Sequence, residues 1–368
     1  MKKKLLLVFI VLISYLIVNA QNKNEITVLY LLPFHLNENT VNISSLKNST
    51  EIFQIMHFEM MGFWFGAKLA LQDYNHSDKK INVIVRDVVT DATALQKILE
   101  DSALMKRVNL IIGPFYGSLF PKAANFAKKH NIAIVNPFSS RFDFVENNPN
   151  VYKLTPPFMT RPEVIEKVFL GSSEAYNIIL WNDSVSTPEL QAYKYYFKNK
   201  NISFKEVSSF TLEQNVKKKN IIIALFEDFT KVIHGVHTIL NLEMADNILV
   251  VPDKWLNVTE LTEDFYGLPH LYYFTNYFVD EKDNDVQQFQ SDYILYYEAP
   301  AELAAYSYQG YDITRYFIDL YLAGYNEAQV KFKPLSYQFQ WQRITNGGFE
   351  NTKPRLIQIK DFELNEVK

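Results

Sequence analysis

Cysteine is absent from all 368 residues. The chain therefore has no disulfide, no thiolate metal site and no thiol nucleophile, and no lipobox cysteine to carry an acyl anchor. Glycine is scarce, with 11 residues. No G-x-G-x-x-G, no P-loop and no G-x-S-x-G elbow occurs. The usual signatures of dinucleotide binding, nucleotide-phosphate binding and serine hydrolysis are missing with them. Positive charge is not in excess. The net charge of −4 gives no basic footprint for nucleic acid. Beyond Leu5–Val18, no run is long and apolar enough to cross a bilayer. Tyrosine (23) and phenylalanine (28) are abundant. They rise together with Asn, Lys and Ile, as in an AT-rich genome, so the aromatic count carries no functional weight.

What is present begins with a leader. Lys2, Lys3 and Lys4 precede the apolar run Leu5–Val18, and Val18-Asn19-Ala20 puts small residues at the −3 and −1 sites. This is the pattern of a cleavable signal peptide. Cleavage is expected after Ala20, with an uncleaved anchor as the alternative. An exported, cysteine-free protein that is not a lipoprotein fits a Gram-negative periplasm.

The stretch Val108–Ser140 organises the rest. An apolar run, Val108–Ile112, ends in Gly113-Pro114; Gly117-Ser118 follows, then an amphipathic segment, Pro121–His130. A second apolar run, Ile132–Val135, ends in Asn136-Pro137-Phe138-Ser139-Ser140. Strand, turn, helix and strand make a right-handed βαβ unit. Ligands of open α/β sheets sit beyond the carboxyl ends of the strands. Both strand ends here carry hydroxyls and aromatics.

Before it, Glu25–Phe34 reads as a buried strand and His35–Gln54 as a polar loop. Phe58–Tyr74 reads as a helix, apolar nearly all round, whose Gly62 and Gly66 would let it approach the sheet. Ile81–Val89 is a strand, and Asp91 or Thr93 caps a helix over roughly Ala92–Met105. After it, Val151–Pro157 reads as a crossover ending in two prolines. A second series follows: helix Arg161–Leu170, strand Asn177–Trp181, a helix from Pro188 to about Asn199, strands Ser203–Phe210 and Ile221–Phe226, helix Asp228–Met244 and strand Ile248–Val251. Leu271–Phe278 reads as another extended crossover. Helices are expected over Asp283–Tyr297 and Glu302–Ala323. Beyond Pro334 the chain is β-like, over Leu335–Trp341 and Arg355–Ile359, with a hairpin turn at Asn346-Gly347-Gly348.

Alternating β and α elements predict mostly parallel sheets flanked by helices. The order resembles the type I periplasmic binding proteins, the family of the leucine/isoleucine/valine-binding proteins and related receptor domains. The resemblance spans nearly the whole mature chain. It rests on GFWFGAKLALQDYN, VNLIIGPFYGS, IAIVNPFSS and AAYSYQGYDITRYFIDLYLAGYN. It implies a two-lobed α/β fold. Lobe 1 is 21–155 with about 277–334. Lobe 2 is about 156–276 with about 335–368. Hinge crossovers lie near 151–157, 271–278 and 334–341. It further implies a non-enzymatic protein without a cofactor, capturing a small amino-acid- or peptide-like ligand between its lobes for an inner-membrane ABC-type transporter or sensor. The alternative is a protein-interaction module of the same fold, such as a regulator of cell-wall synthesis.

By position, the resemblance puts the ligand's carboxylate against Gly117, Ser118, Ser139 and Ser140. Hydroxyls and amides at a strand-to-helix turn suit an anion; the same residues also form turns and caps. Phe115, Tyr116 and Phe138 supply an apolar wall. In the second lobe the family's Tyr-Gly pair is missing; the segment reads WNDSVSTPEL. That makes a plain branched-chain amino acid a poor expectation. Asp253, Glu227 or Asp228 are candidates for clamping a ligand amine. Trp181 and Trp255 either stack on the ligand or pack in the core. Asp87 and Asp91 bracket the end of the second strand as polar ligands or caps. His234 and His237 share a helix face but lack a third metal ligand.

Overall fold

A computed structural model describes residues 24–36, 56–171, 176–208, 219–241, 247–258, 260–261, 263–303 and 306–367. The leader and most of the polar stretch before Gln54 lie outside these residues.

The first strand, β1 (Glu25–Leu32), is buried along nearly its whole length. Helix α1 (Met56–Gln72) leads to β2 (Lys80–Asp87). Helix α2 (Ala92–Glu100) starts at Asp91, whose carboxylate accepts from the Thr93 N–H at 2.7 Å. The single helix expected over Ala92–Met105 breaks at Asp101. That side chain accepts from Leu104 N–H at 3.0 Å and caps a separate turn, α3 (Ser102–Met105). The central βαβ unit follows as β3 (Leu110–Ile112), α4 (Phe120–His130) and β4 (Ala133–Asn136). Asn131, left-handed at φ 54°, ends α4.

Next come β5 (Val151–Lys153), α5 (Thr160–Ile165), which widens to π geometry over Glu166–Leu170, and β6 (Asn177–Trp181). Helix α6 (Pro188–Asn199) has Pro188 in its first turn and Thr187 as its cap. Strands β7 (Phe204–Val207) and β8 (Asn220–Ala224), helix α7 (Phe229–Asn241) and β9 (Ile248–Pro252) continue the alternation. After α8 (Glu263–Tyr266) comes β10 (Leu271–Thr275). Leu271–Thr275, expected as part of an extended crossover, is a paired strand, and by contact the chain passes to the other unit after Asp280. Every side chain of the strand is buried, and it pairs with strands on both sides. Helices α9 (Asn284–Tyr297) and α10 (Ser307–Leu322) precede β11 (Trp341–Arg343), β12 (Phe349–Asn351), β13 (Arg355–Lys360) and β14 (Glu363–Glu366). The hairpin at Asn346-Gly347-Gly348 joins β11 to β12, while β13 pairs with β10 in the other sheet. Most of Leu335–Trp341 is extended without forming a strand.

The strands form two seven-stranded sheets, ordered β11-β12-β5-β4-β3-β1-β2 and β14-β13-β10-β9-β8-β6-β7. Each contains the doubly wound order second-first-third-fourth-fifth. The order reverses between β1 and β3 in one sheet and between β6 and β8 in the other. Those are the switch points at which such sheets open a crevice.

By contact the chain divides into two units: Met1–Pro137, Asn148–Val151 and Glu281–Leu335; and Phe138–Asn147, Tyr152–Asp280 and Ser336–Lys368. In the first unit α1 and α10 cross with their backbones in contact. A Cβ on Gly66 would sit 1.8 Å from the Ser307 carbonyl oxygen, and one on Gly310 would sit 1.9 Å from that of Phe63. The partner of Gly66 is thus a helix far along the chain, not the sheet.

In the second unit, residues of β6 and β8 alternate between two buried clusters. Ile179, Trp181, Ile222 and Ala224 face one way; Ile178, Leu180, Ile221 and Ile223 face the other. Arg355 ties this unit together. Its fork meets Glu366 at 2.6 and 2.7 Å, and Nη1 donates to the carbonyls of Phe278 (2.8 Å) and Ser336 (2.6 Å). Arg355→Leu leaves the half-buried Glu366 carboxylate without its cation and two carbonyls without their donor. We expect it to cost about 3 kcal/mol in urea unfolding, whereas breaking the exposed Arg141–Asp143 pair should leave the urea midpoint essentially unchanged.

Candidate functional site: the carboxyl ends of the strands

In the first unit the switch-point ends of β1 and β3 meet through side chains. The chain leaves β1 through Pro33 and Phe34 and reaches His35, which is left-handed at φ 53°. Asp87, at the end of β2, fixes this exit. Its carboxylate accepts backbone N–H groups from Phe34 (2.8 Å), His35 (3.2 Å) and Leu36 (2.8 Å). Asp87 is consumed by the turn, and Asp91 caps α2. The fixed turn brings His35 Nε2 within 3.1 Å of the Tyr116 hydroxyl. Phe115, half-buried, packs edge-on against Phe63 at 5.0 Å. Gly117 is half-buried and Ser118 is exposed. Ser118 is not a cap: α4 begins after Leu119, with no side-chain capping bond.

Phe138, Ser139 and Ser140 follow β4. By contact they belong to the second unit, unlike Ser118. The Ser139 hydroxyl accepts from the Arg141 N–H at 3.1 Å, so one of its lone pairs serves its own turn. Ser140 is exposed and Phe138 half-buried.

In the second unit the residues named from sequence divide sharply. Trp181 is a core residue, only 4% exposed. Its ring packs edge-on against Phe226 (4.9 Å) and Trp255 (6.0 Å). Gly235 of α7 makes room for it; a Cβ there would lie 2.4 Å from the indole. Trp255 is fully buried, and its N–H donates to the Phe226 carbonyl at 2.8 Å. Core packing, the other reading of these tryptophans, is the one the structure shows. Glu227 is spoken for by Lys254, which lies against it and whose ammonium pKa this hydrogen bond raises. Asp228 accepts from Lys231 N–H at 3.1 Å at the start of α7.

Asp253 differs from these. It directly follows β9, is exposed, and has no ion pair among the described residues. Burial lowers the Arg161 pKa, but Glu189 chiefly, then Tyr193, and last Asp253 raise it overall. Burial raises the hydroxyl pKa of Tyr273 and Tyr277, and the field of Asp253 adds to both, as it does for the Lys254 ammonium. Arg161 pairs with Glu189 at 2.5 Å and lies between the rings of Phe158 (4.9 Å) and Phe274 (5.4 Å).

Sequence reading missed His35, Arg161 and the Asp183–Lys231 pair (3.0 Å). Burial pushes the Asp183 carboxyl up, but Lys231 and the Val185 N–H outweigh it and hold it below the usual range. His35 had one available signal, its place directly after the first strand. Arg161 had none, because its partners come from three other segments. His234 and His237 are exposed. Among the described residues no cluster of three or more His, Asp or Glu is arranged to hold a metal, and no helix is long and apolar enough to cross a membrane.

No family model matches the sequence, and no curated protein matches it. Solved structures do match. A putative branched-chain amino acid ABC transporter protein from Rhodospirillum rubrum is 12% identical, covers 93% of this chain and 100% of its own, and superposes with a TM-score of 0.65. An ABC transporter substrate-binding protein from Desulfitobacterium hafniense, in complex with Leu, is 14% identical over 93% and 100%, with a TM-score of 0.58. A substrate-binding protein from Sphaerobacter thermophilus is 13% identical over 93% and 96%, at 0.56. The fold is that of the type I periplasmic binding proteins, as the order of elements implied.

Proposed function

We propose that the protein is a non-enzymatic solute-binding protein of the periplasm, serving an inner-membrane ABC-type transporter or sensor. The observation that carries this reading is Asp253. It is a carboxylate without an ion pair, at the carboxyl end of a strand, where this architecture places ligands. Among the other acids of this unit, Glu227, Asp183 and Glu189 have cation partners, and Asp228, which has none among the described residues, caps the start of α7. In the first unit, Tyr116, whose hydroxyl meets His35 beyond the fixed turn, and the exposed Ser118 stand at the switch point. In the second unit Asp253 suits an ammonium group, and in the first unit the hydroxyls suit oxygen acceptors. An amino-acid- or peptide-like solute carries both kinds of group. The leader, cleaved after Ala20, would export the chain.

The reading is tested by ligand-induced stabilisation of the protein and two variants. A ligand at about 100 times its Kd adds about 2.7 kcal/mol of stability. We expect Asp253→Asn to weaken an ammonium-bearing ligand by about tenfold or more, the value of a lost charge-assisted contact. We expect Ser118→Trp to abolish the shift by filling the switch point. Both positions are exposed, so the unliganded melting temperature should hardly move. Retention of full affinity by both variants would contradict the assignment of these residues.

A further inference from the structure

We infer that the first unit carries a second small-molecule site, for an organic cation, in a cavity among three of its helices. The cavity has a volume of about 470 Å³ and lies between the end of α1, the outer face of α9, the first half of α10 and the segment from Phe332 to Leu335. Its size is that of an ordinary small-molecule pocket. None of the strand-end residues described above lines it, so it is independent of the solute-binding reading.

Two features of the wall define the ligand. One is aromatic. Buried Phe289, Tyr311 and Phe332 are in ring contact, with centroids 5.0 and 5.9 Å apart; the Arg315 guanidinium already lies 5.8 Å from the Phe332 ring, so the exposed Tyr296 on the rim, with Tyr311, offers the ring faces for a ligand. The π-faces of such rings attract cations that carry apolar substituents. The other is charge. Arg315 is held by Asp73 (2.5 Å) and Asp319 (3.3 Å), and Lys333 by Asp283 (2.6 Å) and Asp285 (3.3 Å). Asp292 lines the same cavity with no cation beside it. Among the described residues it accepts only from the Gln288 amide, at 3.0 Å. Three carboxylates, Asp73, Asp285 and Asp292, thus line the cavity against two cations, Arg315 and Lys333. An anionic ligand meets net repulsion there. A neutral aromatic uses the rings but leaves Asp292 unmatched. A substituted ammonium or guanidinium uses both.

Isothermal titration of the whole protein with benzyltrimethylammonium, and with benzyl alcohol as its neutral counterpart, tests the site. We expect one equivalent of the cation to bind at least about tenfold more tightly than the alcohol, the discrimination of a cation–π contact joined to a carboxylate. Asp292→Asn and Tyr296→Ala should each weaken it several-fold, and Asp253→Asn should leave it unchanged. Tyr296 is 56% exposed, so its variant should fold and serve even if the Asp292 variant does not. Equal affinity for cation and alcohol, indifference to both variants, or no binding at all would overturn the site. Loss of binding on Asp253→Asn would move the cation to the strand ends and overturn it equally.

Discussion

Gly310→Ala is expected to destabilise the protein by about 3 kcal/mol or more, at or beyond the upper end of ordinary overpacking. The reason is geometric. The new methyl carbon would lie 1.9 Å from the Phe63 carbonyl oxygen, 2.7 Å from its carbon and 3.0 Å from its Cα. All three are backbone atoms of α1 and cannot rotate away. Gly66, in the reciprocal position, meets Ser307 and Tyr311 backbone in the same way. Separating the helices would pull on the bonds that pin them, among them Tyr74 to Asp319 (2.6 Å) and Tyr30 to Thr314 (2.9 Å). Gly171→Ala is the control. That residue has φ −74°, and its Cβ would meet nothing closer than 3.4 Å. It should stay within about 0.5 kcal/mol of the parent. Urea unfolding of the three proteins decides. A mild effect for Gly310→Ala would mean that the helices are not in backbone contact.

Alkaline pH is expected to unfold the protein through its tyrosines. Burial pushes the hydroxyls of Tyr273 and Tyr308 up to about 12, and each residue is only 7% exposed. In the unfolded chain a tyrosine ionises near 10. Between those values the native state keeps protons that the unfolded state has released, so stability falls as pH rises. Two pK units amount to about 2.7 kcal/mol per tyrosine, or about 5 kcal/mol for the pair by about pH 12. That rivals the total stability of many domains. Tyr30, fully buried against Thr314, is raised further and adds to the loss. The urea midpoint should therefore be flat up to about pH 10 and then drop, and part of the tyrosinate absorbance should appear only with unfolding. Complete ionisation of all 23 tyrosines before the midpoint falls would show that these hydroxyls are open to solvent.

The alternation of strands and helices was legible because each element carries its own period and punctuation. Pro188 opens α6, Asp91 caps α2, and the Gly347-Gly348 turn makes a hairpin. What could not be read depends on partners distant in sequence. Gly66 advertises a close approach, but only the fold shows that Ser307 and Gly310 provide it. Trp181 ends a strand next to the site, yet strand periodicity does not say which face of the sheet a helix will cover; here α7 and Gly235 cover it. Glu227 and Asp253 look alike in sequence. They differ because Lys254 reaches the first and, among the described residues, no cation pairs with the second. Asp101 resembles a mid-helix residue, but its short side chain caps the next turn instead. The βαβ stretch from Val108 to Ser140 carries the clearest sequence signal for the candidate site. Even there, His35 joins it only through the turn that Asp87 fixes.

Solute binding is tested most directly by a thermal-shift screen of the protein from Gln21 onward. The panel holds amino acids, short peptides, nucleosides, sugars and cell-wall fragments. We expect a raised melting temperature with an ammonium-bearing solute from this panel, and loss of the shift in Ser118→Trp. Well-folded protein, shown to carry no retained ligand, that responds to no compound would contradict it.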